Sequence, residues 1–302
     1  MTKGTPDPYD PKDPRFPLLV SYAYLRGCDE DERDYLLNQA RQDGFELLLD
    51  SGAFSVANTG HVISLAEYNA FLKRNSRAFF RYIALDVLGD PAATDRNLKV
   101  MLDEGLKPSP VHVSGDNGER MDELFELSDL VFFGGLKRAL RGPCPKNYVV
   151  QKMRWAKGRN VHWLGYTQLP MVKALTPFSC DSSSWSSAQR YGQCSIYLGK
   201  GHWKRVGAKE RTQRLSLQAA ATVERFGYSM ADWKNGDLWR GGYDPKAKRS
   251  NMAMDITAGS WIDYIMDVRS RYGTRVFLAC ALARGELSLI RKHWTRWRKS
   301  CG

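Results

Sequence analysis

Short apolar runs of strand length alternate with longer amphipathic stretches through residues 18–200. The clearest run is Leu47-Leu48-Leu49, which ends on Asp50 and breaks at Gly52. Parallel strands covered on both faces are nearly continuously hydrophobic, so this run predicts a buried strand over 45–50 that delivers one carboxylate to a loop. Burying an acid is costly without a partner or a purpose, and a capping Asp before the next helix is the plainer reading of this stretch taken alone. Residues 1–17 carry five prolines and predict an irregular arm. Further strands are predicted over Leu18–Leu25, Phe79–Asp86, Pro110–Ser114, Leu130–Gly134, Val161–Gly165, Pro177–Asp181 and Cys194–Leu198. Helices are predicted over Asp29–Asp43, Ser64–Asn75, Ala92–Glu104, Glu119–Leu127, Asn147–Lys157 and Leu169–Leu175, with a brief polar one near Trp185–Arg190. The Ser64-x-x-Glu67 spacing of a capping box supports the second of these starts.

Eight β/α units predict an α/β protein whose core, 18–200, is a closed (β/α)8 TIM-type barrel; an open doubly wound sheet is the other topology. The strand ends favour the barrel, because barrel sites gather where strands end at their C-termini. Asp50, Asp86, Ser114-Gly115, Gly134-Gly135, Gly165 and Asp181 punctuate six successive predicted strands. Two carboxylates at facing strand ends suit chemistry at an anomeric carbon: one attacks C1′ and holds the sugar as an ester, while the other moves protons on and off the base. A third acid can accept hydrogen bonds from the donor edge of a guanine-like base. The competing reading of any one of these acids is a structural hydrogen bond.

Composition narrows the partners. With 302 residues, 43% of them hydrophobic, the chain is long enough for a sizeable core. Lys plus Arg number 45 against 33 Asp plus Glu, a net charge of +12 that favours a polyanion, nucleic acid before membrane. The N-terminal segment has no apolar h-region, and no run of ~18 apolar residues is present, so a cytoplasmic location is expected. The six cysteines lie far apart with no Cys-x-x-Cys, which predicts buried reduced thiols rather than zinc. No metal or cofactor is expected, and the five scattered histidines are assigned no catalytic part.

The strand-end motifs resemble those of tRNA-guanine transglycosylases. Asp50-Ser51-Gly52-Ala53-Phe54-Ser55 looks like their Asp-Ser-Gly-Gly-Phe/Tyr-Gln motif, and Ala84-Leu85-Asp86 their second acidic strand end. Val113-Ser114-Gly115 stands where they carry Val-Gln-Gly, Gly134-Gly135-Leu136 matches Gly-Gly-Leu, and Leu164-Gly165 matches Met-Gly. Phe178-Ser179-Cys180-Asp181 is similar to their Phe-Asp-Cys strand with the acid displaced, and Arg190-Tyr191-Gly192-Gln193 to the Arg-x-Gly-Gln that follows. The resemblance covers residues 45–200 and implies Asp181 as nucleophile on C1′ and Asp50 as general acid/base. Aligned without a shift, the family's nucleophile falls on Ser179 or Cys180; Asp181 is the only carboxylate there. The resemblance further implies that Asp86, Ser51, Ser114, Gly115 and the backbone of Gly135 and Leu136 read the base, between Phe54 on one side and Leu164 with Gly165 on the other. The three-Cys, one-His zinc subdomain of the tRNA enzymes has no counterpart, since 200–242 contains no cysteine. Short members of the superfamily that lack it, phage-type 7-deazaguanine DNA transglycosylases, exchange guanine in DNA for a free 7-deazaguanine such as preQ0 or preQ1. DNA is therefore the implied polymer, with tRNA as the alternative, and a hydrolytic DNA glycosylase or a non-catalytic nucleic-acid-binding barrel as further ones.

Residues 201–302 predict a basic, Trp-rich helical extension that packs on the barrel and meets nucleic acid. Lys204, Arg205, Arg240, Lys248, Arg249, Arg296 and Lys299, with Arg190 from the barrel, are the candidate phosphate contacts. Leu287, Ile290, Trp294 and Trp297 have helical spacing, so the tryptophans predict packing rather than base stacking. Val276–Leu282 is a further apolar run, helix or strand. A duplex substrate would require the target nucleotide to be flipped out of the stack.

Overall fold

The computed structural model describes residues 15–53, 62–136, 145–186, 188, 191–239 and 251–301. Eight strands form one parallel sheet: β1 (Phe16–Ser21), β2 (Phe45–Asp50), β3 (Arg81–Tyr82), β4 (Val111–His112), β5 (Val131–Phe133), β6 (Val161–Trp163), β7 (Ser179–Ser182) and a last strand, Arg275–Cys280. Between β7 and that last strand the chain makes β8 (Gln193–Tyr197) and β9 (Trp203–Gly207), so Arg275–Cys280 is β10. The order across the sheet is β3-β2-β1-β10-β7-β6-β5-β4. All six residues of β1 are buried, as are the first five of β2, which is the burial expected of strands covered on both faces.

The sheet is curled. Leu19, Leu48, Ile83, Val111, Leu130, Phe132 and Phe277, drawn from strands across its whole width, pack into one cluster. A flat sheet would hold its far strands well apart, at nearly 5 Å per strand step. The sheet stops short of the closed barrel expected: its edge strands β3 and β4 share no ladder among the described residues, and an isolated parallel bridge just beyond them, Ile83 to Ser109, joins the two sides, the Ser109 amide donating to the Tyr82 carbonyl and the Ala84 amide to the Ser109 carbonyl. At the N-terminal end of the strands, Arg275 of β10 and Glu46 of β2 form a buried ion pair, with Arg15 at 3.0 Å from Glu46.

Helices follow the strands where their caps specify. In α1 (Tyr22–Leu25) the chain turns straight out of β1, so the predicted strand through Leu25 ends at Ser21. The helix α2 (Glu30–Gln42) starts on Asp29, whose side chain accepts from the Glu32 amide. In the next, α3 (Leu65–Asn75), Ser64 accepts from the Glu67 amide, as the spacing predicts. Then come α4 (Pro91–Asp103), α5 (Gly118–Leu127), α6 (Pro145–Ala156) and α7 (Leu169–Leu175).

The eighth strand of the sheet is not the one predicted. Most of the predicted strand Cys194–Leu198 lies in β8 (Gln193–Tyr197), which pairs antiparallel with β9 outside the sheet. The apolar run from Val276 takes the vacant position, pairing parallel with β1 on one side and β7 on the other. The chain accordingly divides into two compact units, one comprising Met1–Ser182 with Tyr272–Ala281 and the other Ser183–Arg271 with Leu282–Gly302. The boundary predicted at residue 200 therefore cuts neither unit cleanly.

The second unit holds the β8–β9 hairpin and, among its described residues, the helices α8 (Leu217–Arg225), α9 (Met230–Lys234), α10 (Met252–Tyr272) and α11 (Arg284–Cys301). Its centre is polar as well as apolar. Asp255 of α10 is buried and receives Lys292 Nζ at 2.6 Å, His293 Nε2 at 2.8 Å and the Tyr228 hydroxyl at 2.8 Å. These donors hold the Asp255 carboxyl down to about 2 against the opposing pull of burial. Leu287, Ile290 and Trp294 are buried within α11, so the helical-spacing reading holds for them, and Trp297 stacks on Trp294 at 5.4 Å. Among the described residues no helix is long and apolar enough to cross a membrane.

Candidate active site

Every described strand-end residue singled out from the sequence lies in the first unit, and most stand at the C-terminal end of the sheet. Asp50 is the last residue of β2, beside Ser21 of β1 in register. The chain then turns so tightly that Gly52 adopts φ +84° and presses on Ala23; a Cβ at Gly52 would stand 2.6 Å from the Ala23 Cβ and 2.8 Å from its amide nitrogen. This contact requires glycine, and the turn it allows lets the Gly52 amide donate to Asp50 Oδ2 at 3.1 Å. Ser51, fully buried, donates its hydroxyl to Asp86 Oδ1 at 3.0 Å and so ties the end of β2 to the loop after β3.

The acids stand in different environments. Asp50 keeps partial exposure yet is enclosed by protein, and its carboxyl is pushed up to about 7, first by desolvation and then by the charges of Asp86 and Asp181. The Gly52 amide and the Ser21 hydroxyl pull the other way. Burial also raises Asp86, against the Ser51 hydrogen bond. Asp181, at 8% exposure on β7, is held differently: the Gly165 amide donates to its Oδ1 at 2.6 Å, and His162 Nε2 stands 3.3 Å from the same oxygen. Gly165 takes φ +63° to aim that amide, so its contribution is a backbone donor to the acid. Leu164 packs against the core cluster below.

A third group surrounds the ends of β4 and β5. Ser114 and Gly115 are exposed, and a Cβ on Gly135 (φ +75°) would lie 3.3 Å from the Ser114 Cβ, so the two turns touch. Leu136 is buried behind them. Under this turn lies Lys152 of α6, fully buried, with Nζ at 2.7 Å from His112 Nδ1, 2.8 Å from the His112 carbonyl and 3.0 Å from the Val113 carbonyl. Desolvation lowers the Lys152 amine to about 7, and burial first and the lysine beside it second take the His112 ring down to about 4. His112 Nε2 faces the Asn117 carbonyl at 3.0 Å, so Nε2 carries the proton and Nδ1 accepts from Lys152.

Two features of this end of the sheet were not anticipated, namely the histidine beneath Asp181 and the lysine beneath Ser114. The alternation Val161-His162-Trp163 sets His162 on the opposite face from its neighbours, but that signal alone does not distinguish a core histidine from a working one. Lys152 is one of several basic residues in a helical stretch, and nothing in the pattern marks it as the buried one.

The predicted phosphate contacts separate. Lys204 and Arg205 are exposed on β9 and Lys299 is exposed on α11. Arg296 is engaged internally, its guanidinium 2.9 Å from Asp263 and over the Phe226 ring at 4.4 Å. Phe54, Arg190, Arg240, Lys248 and Arg249 lie outside the described residues. A concavity of about 620 Å³ in the second unit is lined by Tyr197, Gln218, Arg225, Asp263, Asp267 and Trp297. Its charges are matched internally, Arg225 to Asp263 at 2.6 Å and Arg271 to Asp267 at 2.6 Å. Among the described residues no three His, Cys, Asp or Glu side chains are grouped so as to hold a metal ion. Compared by sequence with known proteins, the chain matches no family model and no curated protein.

Proposed function

We propose that the protein is a DNA-guanine transglycosylase built on a curled, TIM-like α/β sheet, exchanging guanine in DNA for a free 7-deazaguanine base through a covalent Asp181 ester at C1′. The single observation that carries this reading is the pair of unequal carboxyls at one end of the sheet. Asp50 titrates near neutrality, as a proton shuttle should, while Asp181 is braced by donors on one oxygen, as a nucleophile should be. In the first half-reaction an Asp181 oxygen bonds to C1′, the C1′–N9 bond breaks with its electron pair going to guanine, and Asp50 delivers the proton. In the second, Asp50 takes a proton from the incoming base, whose nitrogen bonds to C1′ as the ester bond breaks and its electron pair returns to Asp181. Asp86, held by Ser51, and the Ser114–Gly135 turn read the base edge. The net charge of +12 and the exposed Lys204, Arg205 and Lys299 support a polyanionic partner.

The test is incubation of purified protein with DNA carrying labelled guanine, with and without preQ0 or preQ1, in parallel with tRNA. Label leaving DNA only when the deaza base is present is the expected result. Loss from tRNA alone makes the enzyme a tRNA transglycosylase, release without a second base makes it a glycosylase, and loss from neither polymer overturns the reading.

A further inference from the structure

Asp181 stands at the head of a buried polar chain that takes no part in the proton transfers proposed for Asp50. Ser179 lies two residues before it on β7, on the same face, and His162 is the register partner of Ser179 on β6. Both are fully buried. Ser179 Oγ is 2.8 Å from His162 Nδ1, and His162 Nε2 is 3.3 Å from Asp181 Oδ1. The ring is wedged by Phe132, at 4.6 Å between centroids and a 33° tilt, and by the edge of Phe277 at 5.8 Å.

Hydrogen-bond chemistry orders this chain in one direction. An imidazole with its proton on Nδ1 would turn the Nε2 lone pair toward a carboxylate oxygen and repel it. With the proton on Nε2, the ring donates to Asp181 and Nδ1 accepts from the Ser179 hydroxyl, so every group is matched. Oδ1 of Asp181 then takes two donors, the Gly165 amide and His162, while Oδ2 accepts no hydrogen bond among the described residues. The two oxygens are thereby made unequal.

We infer that Ser179 and His162 are positioning residues that fix the Asp181 carboxylate so that Oδ2 attacks C1′ and Oδ1 is stabilised as the charge returns to it. This rests on the proposed exchange reaction for its consequence, though the hydrogen-bond chain stands independently of it. In the first half-reaction Oδ2 supplies the electron pair that forms the C1′–Oδ2 bond, and Oδ1 becomes the ester carbonyl oxygen. In the second, cleavage of C1′–Oδ2 returns that pair to the carboxylate, where the Gly165 amide and His162 Nε2–H receive it. Donors aimed at an oxygen where charge develops lower the barrier, and removing one such donor costs about a hundredfold in rate. Oδ2 faces no such donor and keeps its nucleophilicity.

The experiment compares wild type with His162→Phe, His162→Gln and Ser179→Ala. Phenylalanine keeps the ring packing against Phe132 and Phe277 but gives Asp181 no donor, and glutamine restores an amide N–H. The expected result for His162→Phe is a kcat lower by about a hundredfold with an unchanged KM for the free base, and a covalent DNA adduct that forms but passes its sugar to the free base more slowly and so persists. His162→Gln regains most of that loss, which a purely structural role would not produce. Exchange by His162→Phe at the wild-type rate overturns the inference. An activity-independent measurement separates it from the reaction itself: nitrogen-15 spectra of the His162 ring show the Nε2–H tautomer, with the Nδ1 resonance moved by Ser179→Ala. If the wild type exchanges no base while the spectra show this tautomer, the reaction fails and the orienting chain stands; an Nδ1–H tautomer overturns the chain whatever the activity.

Discussion

On the proposed function Asp50 carries opposite obligations in the two half-reactions, and a carboxyl pushed up to about 7 sets them against each other. It must be protonated to release guanine and ionised to accept a proton from the incoming base. Single-turnover formation of the Asp181 ester should therefore slow as pH rises through about 7, while transfer of the sugar from the ester to the deaza base should quicken over the same interval. Parallel pH profiles for the two steps would remove Asp50 from the proton path. The same burial affects stability. The folded carboxyl binds its proton more tightly than the unfolded one, so between its ordinary value of 3.8 and about 7 the native state holds more protons and stability falls as pH rises. Above pH 7 this costs up to about 4 kcal/mol, which Asp50→Asn should recover; urea melts of the two proteins should diverge at pH 8 and coincide at pH 3. At this scale the sequence announced Asp50, Ser51, Gly52 and Asp86, because an acid and a glycine ending an apolar run conflict with burial and so stand out. His162 and Lys152 escaped because their polarity is satisfied from other strands and carries no local mark.

The strands show where pattern stops informing. Cys194–Leu198 and the run from Val276 are both apolar and of strand length, and counting along the chain assigns the eighth place to the first it meets. The difference lies in the residues beyond each run. Leu198 leads through Gly199 and Gly201, both at positive φ, into a strand that can pair locally, so β8 closes a hairpin with β9. The last strand has no such neighbour, is buried on both faces, and brings Arg275 to Glu46 inside the sheet. That pair gives a test of β10 against β2. Arg275→Met removes the buried cation that pairs with Glu46 and should cost about 3–5 kcal/mol in urea unfolding, whereas the double variant with Glu46→Met should regain most of it. A small effect of the single variant would place Glu46 in water. The helices were more legible: Asp29 and Ser64 cap where expected, because a capping side chain acts within three residues of itself.

For the molecule as a whole, charge and chain order make separate predictions. On the proposed function, Lys204→Glu with Arg205→Glu should weaken DNA binding and flatten its dependence on salt by about 0.9 in the log-log slope for each phosphate no longer neutralised, read by binding titrations across a salt series. Arg296, which the spacing offered for the same role, is the wrong residue for that measurement, since reversing it would leave Asp263 facing a like charge inside the second unit. Chain order predicts that a polypeptide ending at Lys200 leaves β1 and β7 with open edges where β10 belongs. It should be recovered aggregated, and a soluble, monomeric product would contradict the sheet order. The place of β10 at the middle of the sheet also has a meaning in time. A ribosome emits the strands bearing Asp50, Asp86 and Asp181 long before the one that joins their two halves, with the whole of Ser183–Arg271 made in between. Synthesis interrupted anywhere in that interval leaves the sheet in two parts, so on the proposed function the three acids become competent only in a chain translated past Cys280.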